Sequence, residues 1–215
     1  MSNATQQWVD KWVKGPTRLR WERIPLQVGD AAPDMQLPDA DGKARKLSEA
    51  WNGNPGLLLF WRHYGCSCGR ERAARLREEY AQYVELGAQV LIVAYGETAR
   101  ASEYARRNAI PCPILLDPGF EAYKAYDLLE GKPSQIVFDA EDGHLQCDVG
   151  AWTELVESRR ETERAIVADP WQLPGEFVVD KAGIVRLAYR YQYCEDWPDP
   201  RVLYSAIKEA NWETA

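Results

Sequence analysis

No apolar run in this 215-residue chain approaches the roughly 20 residues that a helix needs to cross a bilayer. The first residues also lack the apolar core of a secretory leader, so a cytoplasmic protein with no membrane partner is expected. Positive charge is scarce relative to negative: 26 basic residues stand against 33 acidic ones, a net charge of -7. With no basic stretch longer than a few residues, nucleic acids and anionic membrane surfaces are excluded as expected partners. Cysteine is limited to five residues, an odd number with one closely spaced pair. That is not the disulfide framework of a small secreted scaffold. Nor does it supply the four-ligand set of zinc, which would need a second pair at a suitable spacing. Internal repeats are absent as well, and no cofactor is expected.

What remains is ordinary globular material, 46% hydrophobic and 27% charged, enough for one well-buried core. We read residues 1–27 as an N-terminal Trp-rich arm and 28–215 as a single domain with an insertion at about 131–170. In the arm, Trp8 and Trp12 stand about one helical turn apart, with Trp21 beyond them. Such an arm packs on the domain or on a second subunit, which makes it the candidate contact of a homodimer.

The periodicity predicts a hairpin around Asp39–Lys43, with short strands at 34–38 and 43–47, and a short helix at 48–52. Strand, helix, strand and helix follow at 57–62, 69–86, 88–95 and 98–108, an order that implies a parallel crossover. A strand at 114–117 and a helix at 119–128 come next. Near the end, strands at 176–180 and 184–189 flank Lys181-Ala182-Gly183, and a helix closes the chain over 202–210. Between these halves, Gln135–Phe138 and Leu145–Cys147 suggest an added hairpin, and Trp152–Ala168 a surface helix whose run Glu154–Arg164 is a solvated face. The result is an α/β protein with a central mixed sheet flanked by helices.

Chemistry concentrates at Cys66-Ser67-Cys68, where the apolar strand gives way to the long helix. A helix N-terminus offers unpaired N–H groups and the positive end of the macrodipole, both of which favour thiolate over thiol. Arg62, His63 and Arg70 add positive potential nearby. A bridge between cysteines one residue apart closes a tight ring, so it is expected to be labile and reactive. Cys112, Cys147 and Cys194 read as isolated structural thiols.

Gly29-Asp30-Ala31-Ala32-Pro33-Asp34, Arg62-His63-Tyr64-Gly65-Cys66, Leu115-Leu116-Asp117-Pro118 and Gln172–Asp180 appear in an order that resembles the peroxiredoxin-like branch of the thioredoxin-fold superfamily. This is the alkyl hydroperoxide reductase and thiol-specific antioxidant group. The resemblance implies a thioredoxin-like fold, a reactive cysteine at the start of the first long helix, and a cis proline facing it, here Pro174. It also implies a hydroperoxide or disulfide substrate and a thiol reductant of the thioredoxin or glutathione kind. Aligned from the helix, Cys66 takes the nucleophile position and the usual second cysteine falls on Gly69, leaving Cys68 as resolving partner. Aligned instead from Phe60-Trp61, which resembles the strand end of thioredoxins, Cys68 falls on the second motif position. His63, Arg62, Tyr64 and Pro174 are then the neighbours of the sulfur.

The resemblance stops short of the peroxide-positioning residues. The family has a proline seven residues and a hydroxyl residue three residues before its peroxidatic cysteine. Here those positions are Leu59 and His63 for Cys66, or Trp61 and Gly65 for Cys68. Two other readings use the same residues: Cys66, Cys68 and His63 as ligands of a soft ion such as copper(I), and a scaffold whose thiols do not react. Further along, Asp199 with Pro200 fits a helix cap. Glu195-Asp196 reads as a turn, and Arg190 and Tyr193 as surface or packing residues.

Overall fold

The computed structural model describes residues 3–62, 67–96, 98–136, 142–147, 150–151, 153–154 and 169–212. Its centre is a five-stranded sheet of order β5-β4-β3-β6-β7. Strands β3 (Gly56–Phe60), β4 (Gln89–Ala94) and β5 (Ile114–Leu116) run parallel. Strands β6 (Gly175–Val179) and β7 (Val185–Arg190) lie antiparallel to β3 and to each other. Both faces of β3 are covered, which is why its sequence is continuously apolar. Leu57 and Leu59 point to one face, packed with Ala73, Leu76, Leu203 and Ile207. Leu58 and Phe60 point to the other, against Trp51, Tyr123 and Tyr126.

The parallel steps are made by α2 (Ser67–Glu85) and α3 (Thr98–Arg107), as the strand-helix-strand-helix order requires. The short α4 (Glu121–Ala125) follows β5; the Asp117 carboxylate accepts the N–H groups of Glu121, Ala122 and Tyr123. The expected small hairpin is present as β1 (Gln36–Pro38) and β2 (Ala44–Lys46), its turn held by Asp39 Oδ1, which accepts from the N–H groups of Asp41 and Lys43. The short helix expected at 48–52 is a 3-10 helix over Leu47–Trp51.

The insertion differs from expectation. Gln135 and Ile136, expected in a strand, lie instead in a short helix, α5 (Pro133–Ile136), and Leu145 ends another, α6 (Asp142–Leu145); Val137 and Phe138 lie outside the described residues. Pro133 occupies the first helical position, and the Gln135 side chain reaches back to accept from the Lys132 N–H at 2.7 Å. These are helix-starting devices that outweigh the β-branched residues after them. The surface helix expected over Trp152–Ala168 lies almost wholly outside the described residues.

The arm forms α1 (Asn3–Lys14), with Trp8 and Trp12 fully buried. Trp12 stacks on both Trp8 and Trp171, centroids 5.1 and 5.0 Å apart, and the Trp171 indole N–H donates to the Lys11 carbonyl. The arm therefore packs on its own domain, while Trp21 remains partly exposed. Asp199 caps the closing helix α7 (Pro200–Trp212), its carboxylate accepting from the Arg201 N–H. No helix among the described residues is long and apolar enough to cross a membrane.

Candidate active site

Sheet register sets the site. Phe60 at the end of β3 pairs with Gly175 at the start of β6, and Gly175 pairs with Arg190 at the end of β7. The segments flanking these residues, 61–62, 170–174 and 191–197, therefore meet at one end of the three strands, near the start of α2. Gly175 is required there: a Cβ would stand 2.5 Å from Leu128 and 3.0 Å from the Tyr189 carbonyl.

Cys68 lies in the first turn of α2, 4% exposed, and is disulfide-bonded. Cys112, Cys147 and Cys194 are free thiols. Arg62 is buried beside Cys68, with Nη1 4.0 Å from Sγ. Its Nε donates to the Gln172 carbonyl at 3.1 Å and Nη2 to the Pro170 carbonyl at 2.5 Å. These backbone acceptors fix the guanidinium beside the sulfur, where a positive charge favours thiolate over thiol.

The 169–174 segment is itself fixed from several sides. Asp169 accepts from the Trp171 and Gln172 N–H groups and pairs with Lys11 of the arm. Tyr95 donates to the Asp169 carbonyl at 2.9 Å, and Gln172 accepts from Arg18 at 2.7 Å. Pro174 lines the same cleft as Cys68. The expected cis bond is absent: no cis peptide occurs among the described residues. The chain stays extended into β6, with the Leu173 N–H bonded to the Leu129 carbonyl and the Pro174 carbonyl accepting from Tyr191.

Of the predicted site residues, then, Arg62, Cys68 and Pro174 come together. His63, Tyr64 and Cys66 lie outside the described residues. Arg70 is exposed on α2. Leu59 and Trp61, two positions where a peroxidase would place its proline, are buried among apolar side chains on the α2 side of the sheet. Among the described residues no cluster of three or more His, Cys, Asp or Glu could hold a metal ion.

Sequence reasoning missed two features. The first is Cys194, which is not isolated: it packs against Cys68 under the Trp197 ring. Burial pushes its thiol up, opposed by Arg62. The second is a buried charge network below the cleft. Arg72 binds Glu176 at 2.8 Å and Glu79 at 2.9 Å. Tyr191 donates to Glu176 at 2.6 Å, and Tyr83 to Glu79 at 2.7 Å. Burial works against the charged guanidinium, but Glu176 and Glu79 overcome it and hold Arg72 well above its ordinary value. Hairpin arithmetic could have found Cys194: pairing back from the 181–183 turn sets residues after Arg190 opposite those before Gly175.

Fold and site define a thioredoxin-fold protein with a cysteine pair at the opening of its first long helix. Residues 28–188 match the AhpC/TSA family, and the chain belongs to it. The thiol-disulfide oxidoreductase ResA of Geobacillus thermodenitrificans is 30% identical over 106 residues, 49% of this chain and 60% of that one. A chloroplastic peroxiredoxin Q of Populus jackii is 24% identical over 173 residues, 78% and 62% respectively. The chain thus spans less than two thirds of the length of these curated relatives. Among solved structures, peroxidoxin BcpB from Mycobacterium tuberculosis superposes with a TM-score of 0.60 at 15% identity, covering 86% of this chain and 97% of that one. A likeness at this identity speaks for the fold.

Proposed function

We propose that the protein is a thiol-dependent oxidoreductase that reduces a hydroperoxide or a disulfide through the Cys66 thiolate, with Cys68 as resolving partner. The observation that carries this reading is Cys68 itself, already in a disulfide at the N-terminus of α2 with the Arg62 guanidinium at its side. With a hydroperoxide, the Cys66 sulfur takes the terminal oxygen, the alcohol leaves, and a sulfenic acid forms. The Cys68 thiol then displaces water to close the bridge. With a disulfide substrate, Cys66 forms a mixed disulfide and Cys68 expels the second substrate thiol. Either way two electrons from an external thiol reductant reopen the bridge. Free Cys112, Cys147 and Cys194 suit a reducing compartment such as the cytoplasm.

The test is stopped-flow oxidation of the reduced protein by hydrogen peroxide, an organic hydroperoxide and a small disulfide, with mass spectrometry of the product. A Cys66–Cys68 bridge is expected, abolished in Cys66→Ser and replaced by a sulfenic acid or mixed disulfide in Cys68→Ser. Oxidation no faster than that of a free thiol with all three oxidants would overturn the reading.

A further inference from the structure

Cys194 has no part in the cycle above, yet it packs against Cys68, the residue that ends it. Two buried cysteines, one disulfide-bonded and one free, pack together with Trp197 against them. Arg62 faces both: its Nη1 is 4.0 Å from Cys68 Sγ, and its side chain also bonds Cys194. The loop carrying Cys194 is pinned in place, its N–H bonded to the Gln135 carbonyl at 3.0 Å and its thiol donating to the Ile136 carbonyl at 3.3 Å. Trp197 is fixed in turn by Arg75, whose guanidinium lies 4.5 Å from the ring centroid.

We propose that Cys194 is a third redox thiol of this site, exchanging into the disulfide at Cys68. The inference rests on the Cys66–Cys68 cycle proposed above. The Cys194 thiolate attacks Cys68 Sγ, and the new Cys68–Cys194 bond forms as the Cys66–Cys68 bond breaks. Cys66 leaves as a thiolate and takes up the proton that Cys194 gave up. No net oxidation or reduction occurs, so no further reactant is needed. The step returns Cys66 to its reduced form and moves the bridge to a pair that is only 4% and 6% exposed. Arg62, beside both sulfurs, steadies the thiolate on the Cys194 side of the exchange.

The experiment has two arms. In oxidised wild-type protein, quenched with acid and mapped by mass spectrometry, both linkages, Cys66–Cys68 and Cys68–Cys194, are expected in equilibrium. Wild type that shows the first linkage and never the second overturns the exchange while leaving the cycle intact. Wild type that shows no Cys66–Cys68 linkage overturns the cycle and the exchange with it. The second arm treats Cys66→Ser with cystamine, a small disulfide. Cys194 should expel cysteamine from the mixed disulfide at Cys68, so that Cys66→Ser/Cys194→Ala retains the adduct at least about tenfold longer. Equal lifetimes in the two variants would overturn the proposal.

Discussion

The Arg62 guanidinium stands with Nη1 4.0 Å from the sulfur of Cys68 while its remaining nitrogens are held by the carbonyls of Gln172 and Pro170. One side chain thus joins the end of β3 to the loop before β6 and sets a positive charge beside the thiol. Replacing it should alter reactivity and stability together.

In reduced Arg62→Met protein, alkylation of Cys68 by iodoacetamide at neutral pH should slow about tenfold, because the guanidinium no longer favours the thiolate. Two buried carbonyls would also lose a donor, costing about 2 kcal/mol in urea unfolding. Arg62→Lys should recover part of the alkylation rate, because it restores charge without the forked geometry. An unchanged rate in Arg62→Met would show that the guanidinium does not tune the sulfur.

The arm should matter to the site although it is distant in sequence. Trp12 stacks on Trp171, and Asp169 pairs with Lys11, so α1 braces the segment whose carbonyls hold Arg62. Trp12→Ala should cost about 3–5 kcal/mol by cavity formation. It should also raise the rate at which reductant opens the disulfide at Cys68. A variant destabilised by that amount with an unaltered reduction rate would separate the arm from the site.

The Arg72–Glu176–Glu79 network makes a prediction of non-additivity. Glu176→Leu leaves Arg72 buried with only Glu79 for charge balance, and Arg72→Met leaves the Glu176 carboxylate buried with the Tyr191 hydroxyl. Each should cost about 3–5 kcal/mol. Arg72→Met combined with Glu176→Leu should cost less than the sum by about 1–3 kcal/mol, measured as a double-mutant cycle. Additive losses would mean that the two charges do not stabilise each other.

Much of this architecture was legible because it follows from local rules. The apolar run at 57–62, bounded by Gly53-Asn54-Pro55-Gly56, reads as a buried strand, and Asp39, Asp199 and the 181–183 turn carry their own chemistry. The family resemblance added Pro174 and the direction of the helix. Illegible were contacts that depend on register rather than on neighbours in sequence. Cys194 meets Cys68 across 126 residues only because β3, β6 and β7 align Phe60, Gly175 and Arg190. Arg72 and Glu176 each look like an ordinary surface charge until α2 is laid on the sheet. The insertion misled for a different reason: its β-forming residues hid a Pro133–Gln135 helix start that needs only four residues.

The β6–β7 turn yields a prediction about pH. Asp180 accepts from the Ala182 and Ile184 N–H groups through Oδ1 and from Arg186 through Oδ2, at 2.7 to 3.0 Å. Burial alone would raise its carboxyl, but the Ile184 N–H, the Arg186 guanidinium and the Ala182 N–H together hold it below the ordinary carboxylate range. A carboxyl depressed in the folded state contributes stability that is full above its unfolded value of about 3.9 and disappears as pH falls through the folded value. Asp180→Asn keeps an oxygen for the backbone donors and removes the charge facing Arg186. At pH 7 it should therefore be less stable than wild type by about 2 kcal/mol. Measured by urea unfolding at successively lower pH, the gap should narrow below about pH 4 as the wild-type carboxyl is protonated. A gap that stays constant down to the acid limit would mean that the turn depends on the shape of the side chain and not on its charge.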